Sequence, residues 1–228
     1  MIEKLLEEKN RILVAITLII FGIIGRLSFY KFLPSTPPIY FTLNGITQPL
    51  FMMDLFFVIA IVSLLSGLLL GGYYTFMVPV ATIMITDIII GNTYIFLFTW
   101  SGFILISVIA YSAKNRYELK TRSIPIIAGM GILSILAYDI WTNFGCWLGW
   151  YPHTFNALIV CYTVAIPFML WHLLSTTLTL TIILVPIVYL KEHYSLQTIV
   201  FTNKSPLRKI VTVTVPSVLM TLVVSLFI

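Results

Sequence analysis

The chain has 228 residues, of which 60% are hydrophobic and 9% charged, and its mean hydropathy is +1.05. That balance excludes a soluble domain and puts the protein in the membrane class. Its formal charge of +5 is no nucleic-acid footprint, because the basic residues occupy short connections between apolar runs instead of a stripe or finger.

In chain order, residues 1–10 form a charged amphipathic lead, and an apolar run follows from Arg11 to about residue 29. At 1.5 Å per residue it reaches roughly 27 Å, enough for a thin bilayer. No small-residue cleavage signal follows, so it reads as an anchor that stays attached. Gly22 and Gly25 would admit a close neighbour or are merely tolerated, and Arg26 either snorkels to headgroups or joins a polar cluster. Residues 31–49 read as a loop, with Pro34, Pro37, Pro38, Asn44-Gly45 and Pro49 breaking any regular element. That loop is a surface connection or a lid over the bundle.

Further spans are predicted at about 54–70, 75–90, 93–110 and 124–140, with Ser63, Gly67 and Gly71 making a small-residue face. Pro79 falls in the first turn of the third span, where a missing amide donor costs little. Residues 114–122 are the compact basic loop, which with Lys4, Lys9 and Arg11 predicts a cytoplasmic N-terminus in a multi-pass cell-membrane protein. The apolar region 155–190 is too long for one ordinary span and is interrupted at Trp171-His172 and Ser175-Thr176-Thr177. It divides into spans ending near residue 170 and running 178–190, or forms one bent unit. A last run at 210–228 brings the count to eight, or seven if 155–190 does not cross twice. An eight-span chain would put Lys191, Lys204, Arg208 and Lys209 outside, against the charge bias. The expected fold is an all-α polytopic bundle of one domain, 1–228.

Cys146 and Cys161 are too few for a disulfide framework, and His153, His172 and His193 have no ligand spacing, so neither metal nor cofactor is expected. The stretch 138–153 is the most informative, with one carboxylate, an amide, a histidine and a run of aromatics. With the N-terminus inside, Arg26, Asp54, Asp87 and Asp139 all fall toward the outer leaflet. Roofed by loops carrying Tyr40 and Asn44, and Asn143, Trp147, Tyr151, His153 and Asn156, they suit an outward-facing cup for a small polar or aromatic molecule. A buried ion-pair network, with Arg26 on Asp87 or Asp139, and an interface belt are the other uses of these residues.

Gly25-Arg26, Pro79 with Thr86-Asp87, Leu136 through Asn143-Phe144-Gly145-Cys146-Trp147, and Tyr151-Pro152-His153-Thr154 with Cys161 through Phe168 resemble a family of uncharacterised prokaryotic membrane proteins. That family is related to the substrate-binding S components of energy-coupling factor transporters. The resemblance covers about 25–190 and leaves 210–228 as an added span. It implies a non-enzymatic subunit that captures a vitamin or related micronutrient outside, alongside a membrane coupling protein and two cytoplasmic ATPase subunits. Carried onto these motifs it points to Asp87, Asp139, Asn143, Trp147, Tyr151, His153 and Tyr162. The chain departs from the pattern at Ser175-Thr176, where many relatives have Gly-Asp, and in lacking an Ala-x-x-x-Ala spacing in the first span. No phosphate-binding loop is present, so ATP-driven work would need another protein. A noncatalytic assembly protein and an intramembrane enzyme using Asp87, Asp139 and His153 are the readings from other classes.

Overall fold

The computed structural model describes residues 2–30, 32, 39–43, 46–93 and 95–193. It is an all-α bundle: α1 (Ile2–Tyr30), α2 (Phe56–Leu65) continuing into a π-helical turn (Ser66–Leu70), α3 (Tyr74–Ile90), α4 (Phe96–Arg116), α5 (Ile124–Trp150) and α6 (Phe155–His193). Four of these are long and apolar enough to cross a membrane, and Phe56–Leu70 and Tyr74–Ile90 are shorter apolar helices. The chain is therefore a multi-pass membrane protein.

α2 is apolar all round, as a helix enclosed on every side must be. All its residues but Phe57 are buried, and it packs against α1, α3, α4 and α6. It starts where Asp54 Oδ1 accepts the Phe56 N–H (3.0 Å). Its far end is closed by cations, as the exposed carbonyls of a helix C-terminus favour. Arg11 Nη2 donates to the Leu70 carbonyl (3.1 Å) and Lys114 Nζ to that of Leu69 (2.8 Å). Gly67 lets α4 approach, since a Cβ there would stand 2.2 Å from the Ser107 carbonyl oxygen. The neighbouring hydroxyls of Ser66 and Ser107 bond at 2.7 Å. α1 and α6 turn Leu13, Ile16, Ile24, Val164 and Ile182 outward, the apolar exterior a bilayer requires.

Four expectations need correction. The stretch 138–150 is the end of α5 and not a loop, because nothing stops the helix before Pro152, which biases Tyr151 to its extended conformation (φ −117°, ψ 153°). The region 155–190 lies within one helix, α6, of 39 residues and roughly 58 Å. Its polar interruptions do not end it, since Ser175 Oγ bonds the Trp171 carbonyl (2.7 Å) and Thr179 Oγ1 the Ser175 carbonyl (2.7 Å). Pro79 lies inside α3. Finally, β1 (Tyr40–Leu43) and β2 (Ile46–Pro49) pair antiparallel where a loop without regular structure is predicted, with Thr42 opposite Thr47. The run 210–228, with Lys204, Arg208, Lys209 and Asn44, lies outside the described residues.

The single α6 also brings the connections into agreement. Glu192 accepts from the Thr121 N–H (2.9 Å) and hydroxyl (2.5 Å), and Glu8 at the start of α1 accepts from Tyr73 (2.8 Å). The lead, the Gly71-Gly72 turn, the 114–122 segment and the end of α6 therefore share one end of the bundle. Among the described residues Arg26 is the one Lys or Arg at the opposite end.

Candidate functional site

Midway along α6, buried His172 lies between two carboxylates. Its Nδ1 is 2.5 Å from Asp139 Oδ1 on α5, and its Nε2 is 2.8 Å from Asp54 Oδ2 before α2. The ring stacks on Phe56 at 3.9 Å between centroids. Two further bonds hold the segment before α2 on α6: the Met52 N–H donates to the Pro167 carbonyl (3.2 Å), and Trp171 Nε1 to the Asp54 carbonyl (3.0 Å). A neutral imidazole has one N–H, so bonding to both carboxylates requires one further proton on the ring or on a carboxyl oxygen. Two carboxylates with that one extra proton carry a net charge of minus one in either arrangement.

A cavity of about 320 Å³ lies between α4, α5 and α6, with Asp139 and His172 in its wall beside Asn143, Cys146, Tyr151 and Cys161. Ile95, Val164, Ala165 and Phe168 make the rest largely apolar. Asp139 is 1% exposed, and its Oδ2 has no hydrogen-bond partner among the described residues. Asn143 Nδ2 turns back to the Asp139 carbonyl (2.8 Å), and the Cys161 thiol lies 3.5 Å from the Asn143 carbonyl.

A second cavity of about 200 Å³ is lined by Arg26, Asp54, Phe56, Asp87 and Asn92. Tyr138 and Thr99 belong to both linings, so they stand between the two spaces. Gly102 allows this: a Cβ there would be 2.6 Å from the Tyr138 ring. Arg26 Nη1 donates to Asp87 Oδ1 (2.5 Å) and to Thr86 Oγ1 (2.6 Å). Asp87 Oδ2 accepts from Trp100 Nε1 (2.7 Å) and from Asn92 Nδ2. This pair is internally neutral and its oxygens are fully engaged.

The residues singled out from the sequence thus fall into three groups. Asp139, Asn143 and Tyr151 line the larger cavity, and Arg26 and Asp87 the smaller one, with Arg26 on Asp87 and not Asp139. Trp147, His153 and Tyr162 line neither. The Trp147 ring packs near His153 (5.5 Å), His153 Nε2 lies 2.9 Å from the Leu148 carbonyl, and the Tyr162 hydroxyl donates to the Ile140 carbonyl (2.7 Å). Tyr40 lines neither cavity. His172 and Tyr138 are what sequence reasoning misses. An ionisable side chain inside an apolar run is itself a signal of function, and His172 had it. Among the described residues no cluster of three His, Cys, Asp or Glu is placed to hold a metal ion.

Residues 6–199 match a family described as a family of unknown function (DUF6580). No curated protein and no solved structure matches the chain.

Proposed function

The chain belongs to the DUF6580 family, and from its own side chains we propose that it is a substrate-binding membrane subunit for uptake of a small molecule. One observation carries the reading: a carboxylate 1% exposed, with one oxygen unpartnered, stands in the wall of a largely apolar cavity of about 320 Å³. Burying such a group uncompensated costs several kcal/mol, about what a donor on a bound solute would offset. Small-molecule sites have this composition, apolar walls with a few converging polar atoms.

The gathering of described basic residues at one end supports placing that end, with the N-terminus, in the cytoplasm of a cell-membrane protein. The cavity then belongs to the outer half, where a vitamin or related micronutrient would be captured. Energy would come from a membrane coupling protein and two cytoplasmic ATPase subunits, since the sequence has no phosphate-binding loop. Binding is favoured over catalysis because both His172 nitrogens already face carboxylates, leaving none to take a proton from the cavity thiols.

The test is native mass spectrometry of the purified chain with identification of what it releases. One small molecule per chain, lost in Asp139→Asn, is the expected result. A chain that releases nothing but retains a membrane partner supports the assembly reading instead.

A further inference from the structure

The smaller cavity, which the binding role proposed above does not use, carries both signs of charge in its lining. We infer that it is a second binding site, for an α-amino acid with an apolar side chain. Its carboxylate would lie on the free edge of Arg26, its ammonium on Asp54, and its side chain on Ile59, Ile83 and Phe103.

Arg26 has unused donors. Nη1 directs its two N–H groups to Asp87 Oδ1 and Thr86 Oγ1. Nε and Nη2 donate to no described residue, and neither is an enclosed orphan, the side chain being 19% exposed. Those two nitrogens form one edge of the guanidinium, with parallel N–H groups at the spacing of a carboxylate's oxygens.

Asp54 is the carboxylate with room. Asp87 Oδ1 already holds Arg26, and its Oδ2 holds Trp100 and Asn92. Each Asp54 oxygen takes one donor, the Phe56 N–H or His172 Nε2, and keeps a lone pair on a side chain 39% exposed. Of the two carboxylates on His172, it therefore holds its charge at the lower cost.

Depth supplies the third contact. Asp54, Asp87 and Thr99 stand at the outer level of this cavity. About one turn inward, Ile59 on α2, Ile83 on α3 and Phe103 on α4 are buried and line the same space. A charged level over an apolar floor takes a molecule with both charges at one end. At about 200 Å³ the space is below the usual size for a drug-sized ligand, which suits a single small amino acid. A simple amine would leave the Arg26 edge unbonded, and a simple carboxylate would bring no cation to Asp54. Because the zwitterion is neutral, the match rests on the two signs and not on the net charge of this end, where Lys31 lies outside the described residues.

Three probes of one shape test this on the full chain in maltoside micelles at neutral pH: L-leucine, 3-methylbutylamine and 4-methylpentanoate. Each is titrated against the thermal unfolding midpoint. In a chain with its native cysteines replaced, the rate of Asn92→Cys modification by a thiol reagent reports occupancy, since Asn92 is exposed and lines this cavity and not the larger one. L-Leucine is expected to slow that modification and to bind about tenfold more tightly than either other probe, the worth of one hydrogen bond to a charged group. In Asp54→Asn its advantage over 4-methylpentanoate should vanish. If a variant does not fold, the order of the midpoint shifts in the native chain decides alone. Equal or tighter binding of the amine or the acid overturns the amino-acid class, and no shift and no protection by any probe overturns the site. Phosphatidylethanolamine shares the chemistry, an ammonium near an anionic group: protection by that lipid and none by L-leucine overturns the assignment to a free solute. The probes are added in titration, apart from the one molecule the larger cavity is expected to retain through purification, so failure here leaves that reading standing.

Discussion

His172 Nδ1 and Asp139 Oδ1, 2.5 Å apart, join α6 to α5 at the wall of the larger cavity. Because Asp54 takes the other ring nitrogen, three elements converge on one imidazole. His172→Phe keeps a ring against Phe56 but leaves two carboxylates facing each other without a donor. It is expected to lose about 3 kcal/mol, and His172→Phe in an Asp54→Asn, Asp139→Asn background should recover most of that. Unfolding midpoints of the four proteins check this.

Arg26 and Asp87 form the other buried pair, with side chains 19% and 5% exposed. Asp87→Ala strands a guanidinium and is expected to cost about 3 kcal/mol, while Arg26→Met with Asp87→Leu should come much closer to the native chain. A double-mutant cycle in unfolding free energy measures the coupling.

Arg26 and Asp87 were legible in the sequence, because isolated charges near the ends of apolar runs at one depth have few ways to be satisfied. His172 was not, and the reason is length. A bilayer needs only about 20 residues, so a 36-residue apolar stretch invites division at its most polar point, where His172 lies. The hydroxyls of Ser175 and Thr179 bond within the helix, which no pattern of polar residues reveals. Aromatics in 138–150 mislead in the same way, suggesting an interface loop where α5 continues and turns Asp139 and Asn143 into the cavity. The hairpin had a signal, Asn44-Gly45 between β-prone pairs, that the surrounding prolines outweighed.

Close packing of α2 on α4 supplies a third expectation. Gly67→Ala drives a methyl against the Ser107 backbone oxygen, which cannot swing away as a side chain could. A loss of about 1–3 kcal/mol is expected, seen as a lowered thermal midpoint.

Sidedness can be read directly in a chain whose two native cysteines have been replaced. Asn115→Cys and Glu192→Cys should react with a membrane-impermeant reagent only after permeabilisation, and His153→Cys without it. Opposite behaviour of Asn115→Cys and Glu192→Cys would contradict the single crossing of α6.

The central claim is that a small solute occupies the space between α4, α5 and α6, and Ala165 offers the most direct test, being buried in that wall. Ala165→Phe should fill the space while leaving Asp139, His172 and both members of the Arg26–Asp87 pair unsubstituted. Native mass spectrometry of both proteins, side by side, is the measurement. The account expects one bound small molecule on the native chain and none on a folded, monodisperse Ala165→Phe; the same molecule at the same stoichiometry on both would contradict it.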